Sequence, residues 1–337
     1  MRIFSGIQPT GRKHLGNYIG AIAQYVSSQD RGEGIFCIVD LHALTVSYDP
    51  AELRERFYDT TAILLAAGLD PERCILFRQS DVREHTELTW LLSSVTELGR
   101  LDRMHQFRDK SQAQREMVRA GLLFYPVLMA ADVLAYRAHE VPVGEDQREH
   151  VELMRDVAAN FNRRFGGGEE VLVVPELRIP GVGARIMDLQ EPTRKMSTTG
   201  GSEQGTVYVL DEPKAVEKKL KSAVTDSGSE VRRGAEKPGI GNLIEILAAV
   251  RGVEPAAIED EFAQARYGEF KVAVAEAVVG YLTPVRERYR ELRSDEDRLE
   301  AILEGGAAQA RAIAAETLAD VRELMGVGVP RRARTVR

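Results

Sequence analysis

The sequence predicts an α/β chain: a parallel sheet wound by helices, followed by a mostly α-helical C-terminal part. Two observations carry this expectation. Apolar, β-rich runs alternate with helical patterns through the first half, and after about residue 203 only helical periodicity is left. A third supports them: the polar segments richest in chemistry fall at the carboxyl ends of the expected strands, where sheets of this kind bind ligands.

Taken in order, "RIFSGI" (2–7) reads as a strand and "LGNYIGAIAQYVSSQ" (15–29) as a helix. "GIFCIVD" (34–40) is a second strand, with a helix at about 50–67. "CILFRQS" (74–80) is a third, with "HTELTWLLSSVTEL" (85–98) as its helix. This βαβαβ order implies right-handed crossovers. The strand ends carry "GIQPTG", "DLHAL" and "QSDVREH". "GVGARIMDL" (181–189) is expected to return the chain to the sheet. In the second half, "DEPKAVEKKLKSAV", "GNLIEILAAV" and two long patterns at 267–292 and 296–325 are helical. The expected division is a catalytic domain at 1–204, a helical domain at 205–329 and a disordered basic tail, "PRRARTVR", at 330–337.

The bulk composition narrows the function classes. A chain of 337 residues is long for one core. It is 44% hydrophobic and 29% charged, an ordinary soluble composition. No apolar run approaches the ~20 residues that span a bilayer, so no membrane role is expected. The first residues turn polar too early for a signal peptide. Cys37 and Cys74 lie in apolar runs without partner spacing, which fits a reducing cytoplasm and argues against zinc or a disulfide. A net charge of −7 speaks against a cationic coat for DNA but leaves room for a local phosphate site.

Three segments carry the chemistry. In "GIQPTGRKHLGNYIG" a glycine-containing turn opens a helix, whose free N–H groups favour phosphate. His14 and Asn17 can donate to phosphate oxygens, and Gly16 leaves room for a flat ring. The same letters also fit a plain helix cap, and the dinucleotide spacing G-x-G-x-x-G is absent. In "RKMSTTGG", Lys195 stands on a glycine-flanked loop that could bring a cation onto developing phosphate charge; a lysine in a loop is otherwise a solvated one. In "GLLFYPVLMAADVLAYR", Pro126 fits a first helical position with Tyr125 at the entry. Met129, Asp132 and Val133 share a face. Asp132 is an acid in an apolar run and needs a donor, either internal or on a ligand. "HEVPVGEDQREH" then ends a short strand on Gly144, Glu145, Asp146 and Gln147, polar groups suited to a ribose or an ammonium, or to a helix cap.

Together, "GIQPTGRKHLGNYIGA", "CIVDLHALT", "GLLFYPVLMAAD", "VPVGEDQREHVEL", "RIMDLQEPTRKMS" and "KSAVTDS" resemble bacterial tryptophanyl-tRNA synthetase, a class I aminoacyl-tRNA synthetase. The resemblance runs from Arg2 to about Gly326. It implies a Rossmann-like catalytic domain and a helical anticodon-binding domain. It implies catalytic roles for His14, Asn17, Lys110 and Lys195, and ATP contacts from Gln8, Gly16, Asn17, Gly144, Asp146, Lys195, Met196 and Ser197. Tryptophan would be held by Phe4, His42, Tyr125, Met129, Asp132, Val133, Val141, Val143 and Gln147, with Asp132 accepting the indole N–H, a donor-only group. The implied partners are L-tryptophan, ATP with Mg2+, tRNA(Trp) and a second copy of the chain; no protein-held metal is implied. The segment "TWLLSSVTEL" is apolar enough to join the dimer interface or the core. "KAVEKKLK", Arg232 and Arg233 are basic enough for RNA, though solvated faces look alike.

One departure stands out. The family's loop usually reads Lys-Met-Ser-Lys-Ser, and here it reads Lys195-Met196-Ser197-Thr198-Thr199. Losing a cation aimed at developing charge costs ~3 kcal/mol, about a hundredfold in rate. Arg194, or an anion-binding nest at Gly200 and Gly201, could compensate. Thr198 also keeps open a paralogue that binds or adenylates tryptophan without charging tRNA efficiently.

Overall fold

The computed structural model describes residues 1–108, 119–179, 185–197 and 201–329. Strand β1 (Arg2–Ile7) leads into a helical run of α1 (Leu15–Asn17), a π-helical stretch (Tyr18–Ile22) and α2 (Ala23–Ser28). Strand β2 (Glu33–Ile38) is followed by α3 (Asp40–Ala43) and α4 (Pro50–Ala66). Strand β3 (Cys74–Arg78) is followed by α5 (Glu84–Ser93), α6 (Leu98–Arg103) and α7 (Ala120–Leu134). Then come β4 (Glu140–Pro142), α8 (Arg148–Phe165) and β5 (Glu176–Arg178). The remainder is helical: α9 (Pro213–Lys221), α10 (Pro238–Arg251), α11 (Pro255–Glu261), α12 (Tyr267–Arg293) and α13 (Glu296–Leu324).

The strands form one sheet in the order β3-β2-β1-β4-β5. Every pairing is parallel, with Phe4 opposite Ile35 and Ile35 opposite Ile75. Successive side chains in a strand point to opposite faces. Phe36 and Leu76 therefore pack among α1, α2, α4 and α12, while Ile35, Cys37, Ile75 and Phe77 pack among α5, α7 and α8. This is the Rossmann-like α/β architecture expected from the sequence. The order reverses at β1, between β2 on one side and β4 on the other. That switch point opens a crevice at the carboxyl ends of β1 and β4.

The C-terminal helices share the sheet's cores. Leu243, Ile244, Phe270 and Val274 belong to the apolar cluster of Leu15, Ile22 and Phe36. Ala307, Ala310, Ala314 and Val321 belong to that of Ile35 and Phe77. Helix α13 lies along β3, an edge strand, and covers it against stray pairing. The approach is close enough that a Cβ at Gly306 would run into the Leu76 carbonyl oxygen.

Three expectations are corrected. The helix expected at 85–98 ends at Ser93 and a second begins at Leu98. Pro126 lies inside α7, which starts at Ala120, so Tyr125 sits within the helix rather than at its entry. Burial of Leu122 holds the turn before Pro126 helical, against the bond that the proline removes. The return to the sheet is β5 at Glu176–Arg178, earlier than "GVGARIMDL". Its three residues hold a single apolar side chain, Leu177, too short a pattern to mark a strand, and it is held by its backbone ladder to β4. Of the later segment, Ile186–Asp188 instead faces Arg194–Met196 through backbone hydrogen bonds.

Candidate active site

The turn after β1 is built by reciprocal capping. The Asn17 N–H donates to His14 Nδ1 at 3.2 Å, and the His14 N–H donates to Asn17 Oδ1 at 3.2 Å. Such a capping box satisfies two donors of the first helical turn and is worth ~1 kcal/mol. Its chemical consequence is larger. With Nδ1 accepting, His14 carries its proton on Nε2, and Asn17 keeps its amide N–H2 for a ligand. Burial, with Lys195 and Lys13 nearby, pushes the His14 pKa down to about 4. The ring is therefore neutral near pH 7, a donor without charge. Gly16 is needed beside it: a Cβ there would sit 3.1 Å from the His14 ring. Lys13 points the other way, buried, its ammonium donating to the carbonyls of Gln8 (2.7 Å) and Thr10 (3.2 Å). Burial, then the nearby Arg56 charge, lowers its pKa to about 8. It ties down the turn that presents Gln8.

The loop carrying Lys195 has a fixed base. The Asp188 N–H donates to the Arg194 carbonyl and the Met196 N–H to that of Ile186. Buried Asp188 accepts from the Gln190 and Glu191 N–H groups. Met196 is withdrawn into the core, so its side chain anchors the loop rather than facing a ligand. After the loop the chain pairs with the first turn: the Leu15 N–H donates to the Val207 carbonyl (2.8 Å) and that of Val209 to Lys13 (2.9 Å). Arg12 stacks on Tyr208, 3.6 Å from its ring centre. The two sequence motifs, nearly two hundred residues apart, are thus joined through backbone. Lys195 Nζ lies 3.5 Å from Asp146 Oδ1 across the crevice. Arg194 leans towards Glu191, 3.8 Å away. Lys110, Thr198, Thr199 and Gly200 lie outside the described residues.

Beyond β4, Gly144 caps a short 3-10 turn (Glu145–Gln147). Gln147 Nε2 donates to Asp146 Oδ2 at 2.7 Å. Burial raises the Asp146 pKa, but that bond and the Lys195 charge prevail and hold it below the usual range. Gln106 then links two parts of the site. Its Nε2 donates to the Asp146 carbonyl at 2.8 Å, and its Oε1 accepts from the Tyr125 hydroxyl at 3.3 Å. Tyr125 also lies 2.7 Å from His150 Nε2.

The apolar side of the crevice brings together Phe4, Met129, Val133, Val141 and Val143 from β1, α7 and the β4 end. His42 meets Tyr125 edge-on. Asp132 is fully buried among them, and both of its oxygens are engaged. His42 Nε2 lies 2.9 Å from Oδ2, and Gln79 Nε2 lies 2.8 Å from each oxygen. His85 Nδ1 is 2.9 Å from Oδ1. Burial favours the neutral acid, but the bonds from His42 and His85 prevail and keep Asp132 ionised. The donors this acid required are thus internal, from three side chains.

Gln79, His85, Tyr136, Gln106 and His150 were not singled out from the sequence. "QSDVREH" had marked the first two only as lying at a strand end. Tyr136 reads as one more apolar letter of its helix. The basic faces fare differently from one another: Lys219 is buried against Asp211 at 2.8 Å and Thr206, and Arg233 is tied to Glu259 and Glu245.

The profile of a family described as class I tRNA synthetases (W and Y) matches residues 1–283. A tryptophan–tRNA ligase of Wolinella succinogenes is 48% identical over 326 residues, covering 97% of this chain and 98% of its own. A solved tryptophanyl-tRNA synthetase of Mycoplasma pneumoniae superposes with a TM-score of 0.89 at 34% identity, covering 97% of this chain and 98% of its own. One from Campylobacter jejuni, described as complexed with ADP and tryptophan, gives 0.81 at 34% identity over 97% of this chain and all of its own.

Proposed function

The chain belongs to the class I tRNA synthetases for tryptophan and tyrosine, and from that premise we infer that it is a tryptophan–tRNA ligase using ATP. The amino-acid carboxylate attacks the α-phosphorus of ATP, the α–β phosphoanhydride bond breaks, and pyrophosphate leaves. A hydroxyl of the tRNA's terminal adenosine then attacks the carbonyl carbon of tryptophanyl-adenylate and AMP leaves. No covalent intermediate with the enzyme is required, and rate comes from positioning and from electrostatic stabilisation.

In this reading Asn17 and neutral His14 donate to phosphate oxygens, with Gly16 against the nucleotide. Lys195 balances the pyrophosphate charge, a role the family resemblance gives to Lys110 as well, and Ser197 closes the loop over it. Asp146 and Gly144 take the ribose, Gln147 the ammonium, and Gln8 sits between the substrates. Mg2+ arrives on the ATP phosphates rather than in a cage of protein ligands. The observation that carries the choice of substrate is an ionised acid on an apolar helix face, Asp132 beside Met129 and Val133. It suits a flat hydrocarbon with a single donor. Rejection of analogues lacking that donor can reach several orders of magnitude.

Residues 205–329 form the anticodon-reading unit; the expected tail at 330–337 lies outside the described residues. The ligase works in the cytoplasm as a homodimer, through the packed helices α5, α6 and α7, where Trp90, Leu98 and Phe124 stand exposed. The test is tryptophan-dependent ATP–pyrophosphate exchange beside aminoacylation of tRNA(Trp), for the native chain and Thr198→Lys. Native charging little changed by the lysine supports a working ligase whose loop has dispensed with the second cation. Exchange without charging would overturn the ligase reading in favour of the paralogue.

A further inference from the structure

Asp132 poses a difficulty for the reading above. A carboxylate accepts about four hydrogen bonds, and three side chains already crowd this one: Gln79 Nε2 lies 2.8 Å from both oxygens, His42 Nε2 2.9 Å from Oδ2 and His85 Nδ1 2.9 Å from Oδ1. An indole N–H has to compete with one of them for its place on the acid. The three side chains are not alike. Gln79 and His85 are completely buried, whereas His42 keeps 5% of its surface and meets Tyr125 edge-on, on the side of the residues expected to hold the indole.

The buried pair is held from behind. Gln79 Oε1 accepts from the Leu41 N–H at 3.0 Å, which fixes the amide so that its N–H2 faces Asp132. Leu41 itself is placed by Asp40, whose carboxylate also accepts from the Ser80 N–H and hydroxyl. The carboxyl ends of β2 and β3 are thereby locked together under the acid. His85 Nε2 lies 2.6 Å from the Tyr136 hydroxyl. His85 thus presents Nδ1 to Asp132 and Nε2 to the Tyr136 hydroxyl. Tyr136 is in turn clamped by Phe4, which stacks on it at 5.4 Å, and by Phe77.

We propose that Gln79 and His85, backed by Tyr136, are positioning residues for indole recognition: they hold Asp132 in place permanently, while the His42 bond is the exchangeable one that the indole N–H of tryptophan takes over. This rests on the reading of the chain as a tryptophan ligase. It extends the specificity determinant from one acid to a layer of side chains that never meets the substrate.

The test compares tryptophan with β-(3-benzothienyl)-L-alanine, in which sulfur replaces the N–H, in pyrophosphate exchange by the intact chain. The native enzyme should prefer tryptophan strongly. Gln79→Met, similar in volume, should raise the KM for tryptophan at least tenfold, leave that for ATP unchanged and leave that for the thienyl analogue nearly unchanged. His42→Ala should keep the preference. Tyr136→Phe, which removes one hydroxyl, reads the His85 arm in the same way and serves if Gln79→Met folds poorly. Equal weakening of tryptophan and analogue in the Gln79 and Tyr136 variants would reduce these residues to packing and overturn the proposal. A native enzyme indifferent to the N–H would remove the Asp132–indole bond itself. Absence of any tryptophan-dependent exchange would instead sink the ligase reading on which this rests.

Discussion

Lys195 Nζ lies 3.5 Å from Asp146 Oδ1, and both side chains are about half exposed. A pair in that setting contributes ~0–1 kcal/mol. The loop is thus held over the crevice by a contact that a bound triphosphate easily outcompetes for the ammonium. Lys195→Ala should lower kcat for pyrophosphate exchange by about a hundredfold. Tryptophan affinity without ATP, measured by isothermal titration calorimetry, should be unchanged. A matching loss of tryptophan affinity would place Lys195 in the wrong role.

His14 makes the folded state acid-sensitive. Its pKa falls from 6.5 to about 4, first through burial and then through Lys195 and Lys13. Between those values the unfolded chain binds the proton that the native chain refuses, so stability falls as pH falls. The contribution is fully present above pH 6.5 and amounts to about 3 kcal/mol. Urea midpoints of the native chain and of His14→Asn should diverge from each other as pH drops from 6.5 towards 4, the asparagine variant losing less. Parallel curves would mean that the ring is protonated in the fold.

Lys13 acts in the alkaline range. Burial, then Arg56, lowers its pKa from 10.5 to about 8. Over that interval the unfolded chain again holds more protons, so this group makes stability rise with pH from about 8 to 10.5. Lys13→Met should lack that rise. The same variant releases the carbonyls of Gln8 and Thr10 and should raise the KM for ATP. Melting temperatures at pH 7.5 and 10 and exchange kinetics check the two halves separately.

Much of this molecule was legible because local rules and tertiary packing agree. Apolar, β-rich runs marked β1, β2 and β3, and helical spacing marked the four main C-terminal helices. The strand-end rule put His14, Asn17, Asp146 and Gln147 in one crevice. Legibility failed where backbone geometry or a distant partner decides. Nothing local marks β5, and Pro126 obeys its neighbours' burial rather than its own preference. The donors of Asp132 come from α3, the turn after β3 and α5, all far earlier in the chain. Gly306 is the sharpest case: in sequence it weakens a helix, and in the fold it lets α13 touch β3. Gly306→Val should therefore destabilise the chain by about 1–3 kcal/mol as the helix is forced off the sheet, although valine would otherwise favour a helix over glycine. Chemical denaturation decides between the two signs.

Trp90 is the chain's only tryptophan and is 74% exposed, while its neighbours Leu88, Leu91 and Leu92 are buried. A large ring left in water suits an anchor for a second copy, as do exposed Leu98 on α6 and Phe124 on α7, since such residues dominate interface energetics. If α5 forms the dimer contact, Trp90 emission should lie to the blue in concentrated protein and move to the red on dilution, in step with a fall in sedimentation coefficient. Trp90→Glu would bury an unpaired charge in the interface and should weaken association by at least a hundredfold. The helix should be kept intact, because the ring makes no core contact. A variant that sediments as the native chain does would move the dimer face away from α5.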